Sequence, residues 1–250
     1  MEALPRRQVR AAVHLAARLP PSFDSPEARQ VAETNEKMDA NVFHACRRLG
    51  LPLVFASGAS VYGQSSDSPL TEQSAPAPFG PYPEAKLRSE QAGQDLLCSI
   101  GVPFASLRIS APYGPGQKAR TVLNIFMERA LQGLPLTYHG TGSREQDFTW
   151  AGDVGEAICQ ALLKRRSGIF NISSGRPVTM KELAELVVRT VPECRSEVIH
   201  SGQADPQEGF KARISIEKAS RELGWNPAVS LEEGIARCIR SRMSSENELQ

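Results

Sequence analysis

The chain has 250 residues, and its 29 Lys and Arg residues against 28 Asp and Glu residues give a formal net charge of +1. This balance gives no electrostatic basis for binding nucleic acid or an anionic membrane surface. The length suits one domain with a small additional lobe. Five scattered cysteines without metal-ligand spacing, with no signal peptide and no membrane-length apolar run, predict a cytoplasmic protein without a metal site.

The first half of the chain alternates between segments of helix and strand length. Two amphipathic stretches each end at a glycine suited to the left-handed conformation, Gly50 or Gly101, and each is followed by an apolar run. With an earlier apolar run, these segments are residues 11–17, 35–50, 51–57, 83–101 and 102–110. Strands that are apolar on both faces and separated by helices are typical of a parallel sheet covered by helices.

The helix predicted at 35–50 carries apolar residues at helical spacing on one face. They are Met38, Val42, Ala45, Cys46 and Leu49. We expect this face to be the buried one.

Four helices are predicted in the second half of the chain. The first runs from about 120 to 131 and stops at Gly133. The other three begin at capping boxes, in which a capping side chain is followed three residues later by a glutamate. The boxes pair Asp153 with Glu156, Thr179 with Glu182, and Ser230 with Glu233.

Tyr82 and Lys86 stand four residues apart at the start of a predicted helix. This spacing sets both side chains on one face, about 6 Å apart in rise. A phenol beside an ammonium can act as an acid–base pair, but the same pattern also arises by chance on exposed helices. Two predicted strands, 51–57 and 102–110, end in small-residue turns, and the carboxyl ends of parallel strands form the edge where ligands bind. This context favours the chemical interpretation.

Five motifs follow one another in a characteristic order: VHLAA, ASGASVYG, PYPEAK, LRISAPYGPG and GSREQDF. With these five motifs the chain resembles the extended short-chain dehydrogenase/reductases, and the resemblance runs from about residue 11 to 237. The likeness is to the NAD-dependent nucleotide-sugar epimerase/dehydratase family, of the UDP-glucose 4-epimerase type.

The resemblance implies an α/β fold, with a truncated Rossmann-type parallel sheet flanked by helices and a small C-terminal α/β substrate lobe. Residues 1–115 would form a partial dinucleotide-binding domain that lacks the first βαβαβ half. Residues 116–250 would form a nucleotide-sugar-binding lobe, with about 148–175 returning to the Rossmann domain.

The resemblance also assigns roles to residues that match the family motifs. Tyr82 would be the acid/base in the oxidation of a sugar hydroxyl. Lys86 would lower the pKa of the phenol, which is ~10 in free tyrosine, and would bind the cofactor ribose. Ala16, Ala17, Asn35 and Pro112 would line NAD or NADP.

Several positions depart from the family pattern. The hydroxyl residue expected four positions before the tyrosine of the V-Y-G turn is Gly58, and strand alternation makes Ser60 the best substitute, with Ser57 on the opposite side. The Thr-Asp-Glu set of the 4,6-dehydratases is absent there, which argues against that reaction.

The arginine expected before the D-F pair is Gln146. Arg144 and Arg213 are then either the diphosphate ligands or ordinary surface arginines.

The G-x-x-G-x-x-G turn that cradles the cofactor pyrophosphate in the family does not occur in the sequence. We therefore expect that Met1 is an internal methionine of a longer protein, or that the chain is a degenerate fragment. Cofactor binding by the chain as given is expected to be impaired. The alternative to an enzyme is a non-catalytic remnant that binds a sugar nucleotide or a partner subunit. The family also implies a homodimer through the helices near Asn35 and Tyr82.

Overall fold

The computed structural model of the chain describes residues 9–23, 25–63 and 66–247. The elements in chain order are β1 (Ala12–His14), α1 (Ala28–Leu49), β2 (Leu53–Gly58), α2 (Pro81–Gly93), β3 (Phe104–Ile109), β4 (Pro112–Tyr113), α3 (Val122–Leu131), β5 (Leu136–Tyr138), β6 (Glu145–Gln146), β7 (Thr149–Trp150), α4 (Ala151–Lys164), β8 (Gly168–Ile172), β9 (Val178–Thr179), α5 (Met180–Thr190), β10 (Val198–His200) and α6 (Leu231–Asn247). None of the helices in these described ranges combines the length and the apolarity needed to cross a membrane.

Four parallel strands form the main sheet in the order β1-β2-β3-β8. α1 and the π-helical turn Gln94–Cys98 cover one face through a cluster that contains Phe43, Phe55 and Phe104. α4 and the turn Ala219–Leu223 cover the other face. The predicted α/β fold with a parallel sheet flanked by helices is confirmed.

The remaining strands form two-stranded sheets, in which β5 pairs with β10, β4 with β7, and β6 with β9. Helices α3, α5 and α6 pack around a second apolar core beside them. β8 belongs to the main sheet and α4 to its cover, and the assignment of about 148–175 to the dinucleotide-binding domain stays a prediction. The division of the chain at residue 115 stays a prediction.

The buried face of α1 differs from the predicted one. Its buried residues are Ala28, Ala32, Asn35, Asp39, Phe43 and Cys46, whereas Leu49 is 42% exposed. The sequence pattern was misleading because two polar residues, Asn35 and Asp39, point inward, where each makes hydrogen bonds to other elements.

The predicted capping boxes have three different outcomes. Thr179 and Glu182 form the complete box. Ser230 accepts a hydrogen bond from the Glu233 backbone N–H, but the Glu233 side chain pairs with Arg237 instead.

Asp153 is not a cap. α4 begins two residues earlier, at Ala151, and the Asp153 carboxylate accepts hydrogen bonds from the backbone N–H groups of Ala228 and Val229, both at 3.1 Å. Its role is therefore to hold the chain ahead of α6.

α2 lies unusually close to the sheet. A Cβ atom added to Gly93 would lie 2.4 Å from the Phe104 ring, so only glycine allows this approach. On the same helix, Glu90 accepts a two-pronged hydrogen bond from Arg108 of β3, with Nη2 at 2.7 Å and Nε at 3.1 Å, and both side chains are 2% exposed. The guanidinium also lies 4.9 Å from the centre of the Tyr62 ring.

We expect Glu90→Gln to lower the free energy of unfolding by about 3 to 5 kcal/mol, because the Arg108 charge would stay buried without its counter-charge. The matched control is Glu36→Gln, which removes an acid from the exposed pair with Arg88 and should cost less than about 1 kcal/mol. Urea denaturation at neutral pH measures both values. Equal losses in the two variants would contradict the assignment.

Candidate active site

Lys86 is buried between α2 and the sheet, with 3% of its surface exposed. Its Nζ donates a hydrogen bond to the Ala56 carbonyl at 3.1 Å and lies 4.5 Å from the centre of the Phe55 ring. An ammonium has three N–H donors, so two of them have no acceptor among the described residues. Burial lowers the pKa of Lys86, and the nearby carboxylates of Asp39 and Glu90 raise it in part. The Lys86 ammonium is thus a buried hydrogen-bond donor that could bind two further acceptors.

Tyr82 lies one helical turn before Lys86 at the start of α2. Its ring stacks on Phe23, with ring centres 5.5 Å apart and planes 12° from parallel. Burial, and then the negative charge of Asp39, raise the pKa of Tyr82 to about 12. The phenol is therefore protonated at neutral pH in this arrangement, and it must lose its own proton before it can accept one.

The start of α2 depends on Gly80. Its φ is 91°, and a Cβ atom there would lie 2.7 Å from the Phe23 carbonyl oxygen. A side chain at this position would push away the segment that stacks on Tyr82, so glycine is required for the ring contact.

Three polar residues that the sequence analysis missed lie behind this pair. Asp39 of α1 is 1% exposed. Its Oδ1 is 2.7 Å from His14 Nε2 of β1, and its Oδ2 accepts a hydrogen bond from Ser89 Oγ of α2 at 2.8 Å. The one available signal was that Asp39 stands four residues after Asn35, on the same helical face.

The two serines proposed as hydroxyl partners lie in different environments. β2 ends at Gly58 and Ser60 lies in the 3₁₀ turn Ala59–Tyr62, so strand alternation does not extend to Ser60. The turn nevertheless brings the Ser60 hydroxyl to 3.3 Å from the position that a Cβ atom on Gly58 would take. Ser57 shares the face of Phe55 by alternation, and its Oγ is buried without a described hydrogen-bond partner.

The residues predicted to line a cofactor gather at the carboxyl ends of β1 and β3. Ala16 and Ala17 follow β1 and are exposed, and Pro112 is exposed in β4. Asn35 is buried and holds the loop after β1, since its Oδ1 accepts from the Arg18 N–H at 2.8 Å and its Nδ2 donates to the Arg18 carbonyl at 2.9 Å. The cofactor roles of these residues stay predictions.

Both arginines proposed as diphosphate ligands are paired with acids. Arg144 Nε lies 3.0 Å from Asp205 Oδ2. Arg213 Nη2 lies 3.1 Å from Glu145 Oε1, and its Nη1 donates to the Asp67 carbonyl at 3.1 Å. Arg213 and Glu145 line a cleft of about 400 Å³. A phosphate would reach either guanidinium fully only by displacing a carboxylate, and this role also stays a prediction.

The sequence of the chain matches a known protein family. The model of the NAD dependent epimerase/dehydratase family matches residues 1–173. The chain belongs to this family. A similar curated member is a dTDP-4-dehydro-6-deoxyglucose reductase of Escherichia coli, 29% identical over 248 residues that cover 96% of this chain and 77% of that protein.

Solved structures of the epimerase/dehydratase family have the same fold. A UDP-glucose 4-epimerase of Thermotoga maritima, determined with UDP-glucose, has a TM-score of 0.84 at 27% identity, covering 94% of this chain and 77% of that chain. A UDP-glucose 4-epimerase of Thermus thermophilus in complex with NAD has a TM-score of 0.84 at 29% identity, covering 95% and 78%. The resemblance read from the five sequence motifs is therefore confirmed.

We expect Lys86→Met to leave the free energy of unfolding at pH 7 unchanged or to raise it by about 1 kcal/mol or less, because it removes an incompletely bonded buried charge. Since the pKa of Lys86 is lowered by folding, its charge costs stability at neutral pH, and this cost fades as the pH rises through the unfolded value of ~10.4. The advantage of the variant over the wild type should therefore shrink with rising pH. Urea denaturation across this range measures it.

The control is Lys218→Met. Lys218 Nζ makes the same two contacts, 2.8 Å from the Ile169 carbonyl and 4.8 Å from the Phe170 ring centre, but the side chain is only partly buried. It therefore reports the loss of these contacts alone. A loss of several kcal/mol in Lys86→Met at neutral pH would contradict our view of Lys86 as an unsatisfied charge.

Proposed function

We propose that this chain carries the acid/base site of an NAD(P)-dependent nucleotide-sugar epimerase, or of a related oxidoreductase that transiently oxidises a sugar hydroxyl. The observation that carries the proposal is the buried Lys86 ammonium, two of whose N–H donors have no acceptor in the part of the chain that the structure describes, one helical turn along α2 from Tyr82. Family membership supports it, since the family is defined by NAD-dependent chemistry of this kind.

Lys86 fits the ribose of a nicotinamide cofactor. Two N–H donors on one ammonium match two neighbouring hydroxyl acceptors. Such hydrogen bonds would complete the bonding of the buried ammonium. When bound, the oxidised cofactor would supply the hydride acceptor and a positive charge. The exposed segment after β1, which Asn35 fixes through the Arg18 backbone, would be the floor on which the cofactor lies.

Tyr82 would take the proton of the sugar hydroxyl and later return it. With a pKa of about 12, the phenol needs added positive charge to act as a base at neutral pH. The Lys86 charge would favour the phenolate in the active complex, whereas Asp39 opposes it. The site therefore holds Tyr82 protonated at rest and would activate it only with a ligand in place.

Ser60 would hydrogen-bond the reacting hydroxyl in place of the residue missing at Gly58. Its Oγ lies next to the volume that a side chain at position 58 would enter. The nucleotide sugar would lie toward Arg213 and Arg144, where the acidic partners Glu145 and Asp205 would have to be exchanged for phosphate oxygens.

One alternative, a non-catalytic member that binds a sugar nucleotide or a partner subunit, is favoured by the loss of a side chain at Gly58 and by the pairing of both arginines with acids. Retention of NAD(P) through purification distinguishes the enzyme from the non-catalytic member, because only the enzyme needs the cofactor. Impaired NAD binding by this chain, and a homodimer through the helices near Asn35 and Tyr82, stay predictions.

We expect Tyr82→Phe to reduce turnover of UDP- or dTDP-sugars by a factor of roughly a hundred to ten thousand, with little change in substrate affinity, because the proton acceptor is lost while the ring stack on Phe23 is kept. The assay follows epimer formation by NMR, with NAD present. Tyr138→Phe, on β5 in the second core, is the matched control and should retain full turnover. Normal turnover in Tyr82→Phe would remove Tyr82 from the mechanism, whereas no turnover by the unsubstituted chain would favour the non-catalytic alternative.

We expect Ser60→Ala to lower turnover less than Tyr82→Phe does, by roughly tenfold, the size of a single hydrogen bond. Gly58→Ser in the same background should restore part of the loss. The backbone at Gly58 is extended, with φ −139° and ψ 148°, so it accepts a side chain, and removing the Ser60 hydroxyl relieves the contact at 3.3 Å. Failure of Gly58→Ser to raise turnover above that of Ser60→Ala would remove the hydroxyl from the mechanism.

A further inference from the structure

A buried carboxylate joins three elements behind the Tyr82–Lys86 pair. Asp39 comes from α1, and its two oxygens contact His14 of β1 and Ser89 of α2. Both partners are themselves buried, with 5% and 4% of their surface exposed. An aspartate in the interior face of a helix is unfavourable unless its oxygens are bonded, and here both are.

Asp39 is close to Lys86 but does not contact it. Ser89 stands three residues after Lys86 on α2, so the carboxylate that it bonds lies beside the face of α2 that also carries Lys86. The Phe55 ring contacts both Lys86 and His14, the partner of the carboxylate, since Lys86 Nζ lies 4.5 Å from the ring centre and the His14 ring centre lies 5.8 Å from it. Among the described residues no ion pair joins Lys86 to a carboxylate, so Asp39 acts on it across the protein interior.

The other charged groups around this position are paired among themselves. Glu90 of α2 is neutralised by Arg108 of β3, and Glu36 of α1 pairs with Arg88 of α2 near the surface. β1 contributes His14, and β2 contributes only the Phe55 ring and the Ala56 carbonyl. Asp39 is therefore the carboxylate here that has no arginine or lysine as a direct partner among the described residues.

We propose that Asp39 is a positioning residue of the Tyr82–Lys86 pair, which acts through its buried charge and keeps both groups in their protonated, resting state. The proposal rests on the proposed function, because only an acid/base role gives that state a purpose. His14 and Ser89 fix the carboxylate, and the carboxylate in turn stabilises the ammonium that burial destabilises. The same charge holds Tyr82 as a phenol until a cationic ligand offsets it.

The direction of the titrations agrees with this geometry. Burial lowers the pKa of Lys86, and Asp39 is the largest influence that raises it again. Asp39 also raises the pKa of Tyr82, in addition to burial. A carboxylate that served only to dock α1 against α2 and β1 would be replaceable by any hydrogen-bonding group of its size, with no effect on either titration.

The test compares Asp39→Asn, which removes the charge and keeps the shape, with Ser89→Ala, which removes one hydrogen bond and keeps the charge. The chain is labelled with ¹³C at the tyrosine Cζ and lysine Cε, and Tyr82→Phe and Lys86→Met assign the two signals. We expect Asp39→Asn to move both titrations to lower pH, so that at pH ~11, about one unit above the pKa of free tyrosine, Tyr82 ionises in the variant and not in the wild type. Ser89→Ala should leave both titrations in place.

Unchanged titrations in Asp39→Asn, or the same shifts in Ser89→Ala, would overturn the proposal and reduce Asp39 to a structural hydrogen-bonding group. Circular dichroism checks that the variants are folded at each pH, and Asp39→Ser replaces Asp39→Asn if the amide does not pack. The titration needs neither cofactor nor substrate. Unchanged titrations in Asp39→Asn together with a large loss of turnover in Tyr82→Phe would overturn the role of Asp39 and leave the proposed function standing. Shifted titrations in Asp39→Asn together with normal turnover in Tyr82→Phe would overturn the proposed function and leave only the electrostatic effect of Asp39.

Discussion

The burial of one ammonium is the constraint on which the rest of the site depends. Gly93 lets α2 approach the Phe104 ring, and the buried Glu90–Arg108 pair ties the helix to β3. This close packing takes Lys86 out of water while the sheet supplies only one carbonyl acceptor. A buried charge is stable only where its surroundings compensate it, and in the function we propose ligand hydroxyl groups accept from the two N–H groups of Lys86 that have no acceptor among the described residues.

The buried face of α1 supplies polar groups to the surroundings of Lys86. Asn35 bonds both backbone groups of Arg18 and so fixes the loop after β1, while Asp39 bonds His14 and Ser89. Buried polar groups of this kind are specific, because each has one arrangement in which all its atoms are bonded. The helix therefore shapes the floor of the candidate cofactor site and places a buried carboxylate behind the Tyr82–Lys86 pair.

The region proposed to bind the substrate differs from the surroundings of Lys86. Arg144 and Arg213 are held by Asp205 and Glu145, so their positive charges are already compensated. Ligand binding there would be an exchange of carboxylate for phosphate rather than the filling of an unpaired site.

The sequence by itself determined the features that depend on neighbouring residues. Repeated helix–glycine–strand segments fixed the parallel sheet, Thr179 and Glu182 fixed the start of α5, and the spacing of Tyr82 and Lys86 set them on one face of α2. Only the tertiary structure decided which face of α1 is buried and where Ser60 lies. It also brought together pairs far apart in the chain, namely Asp39 with His14 and Ser89, 25 and 50 residues away, and Arg213 with Glu145, 68 residues away. The physical reason is that apolar periodicity reports burial only for apolar residues, whereas a polar residue can be buried only where distant elements supply its hydrogen-bond partners.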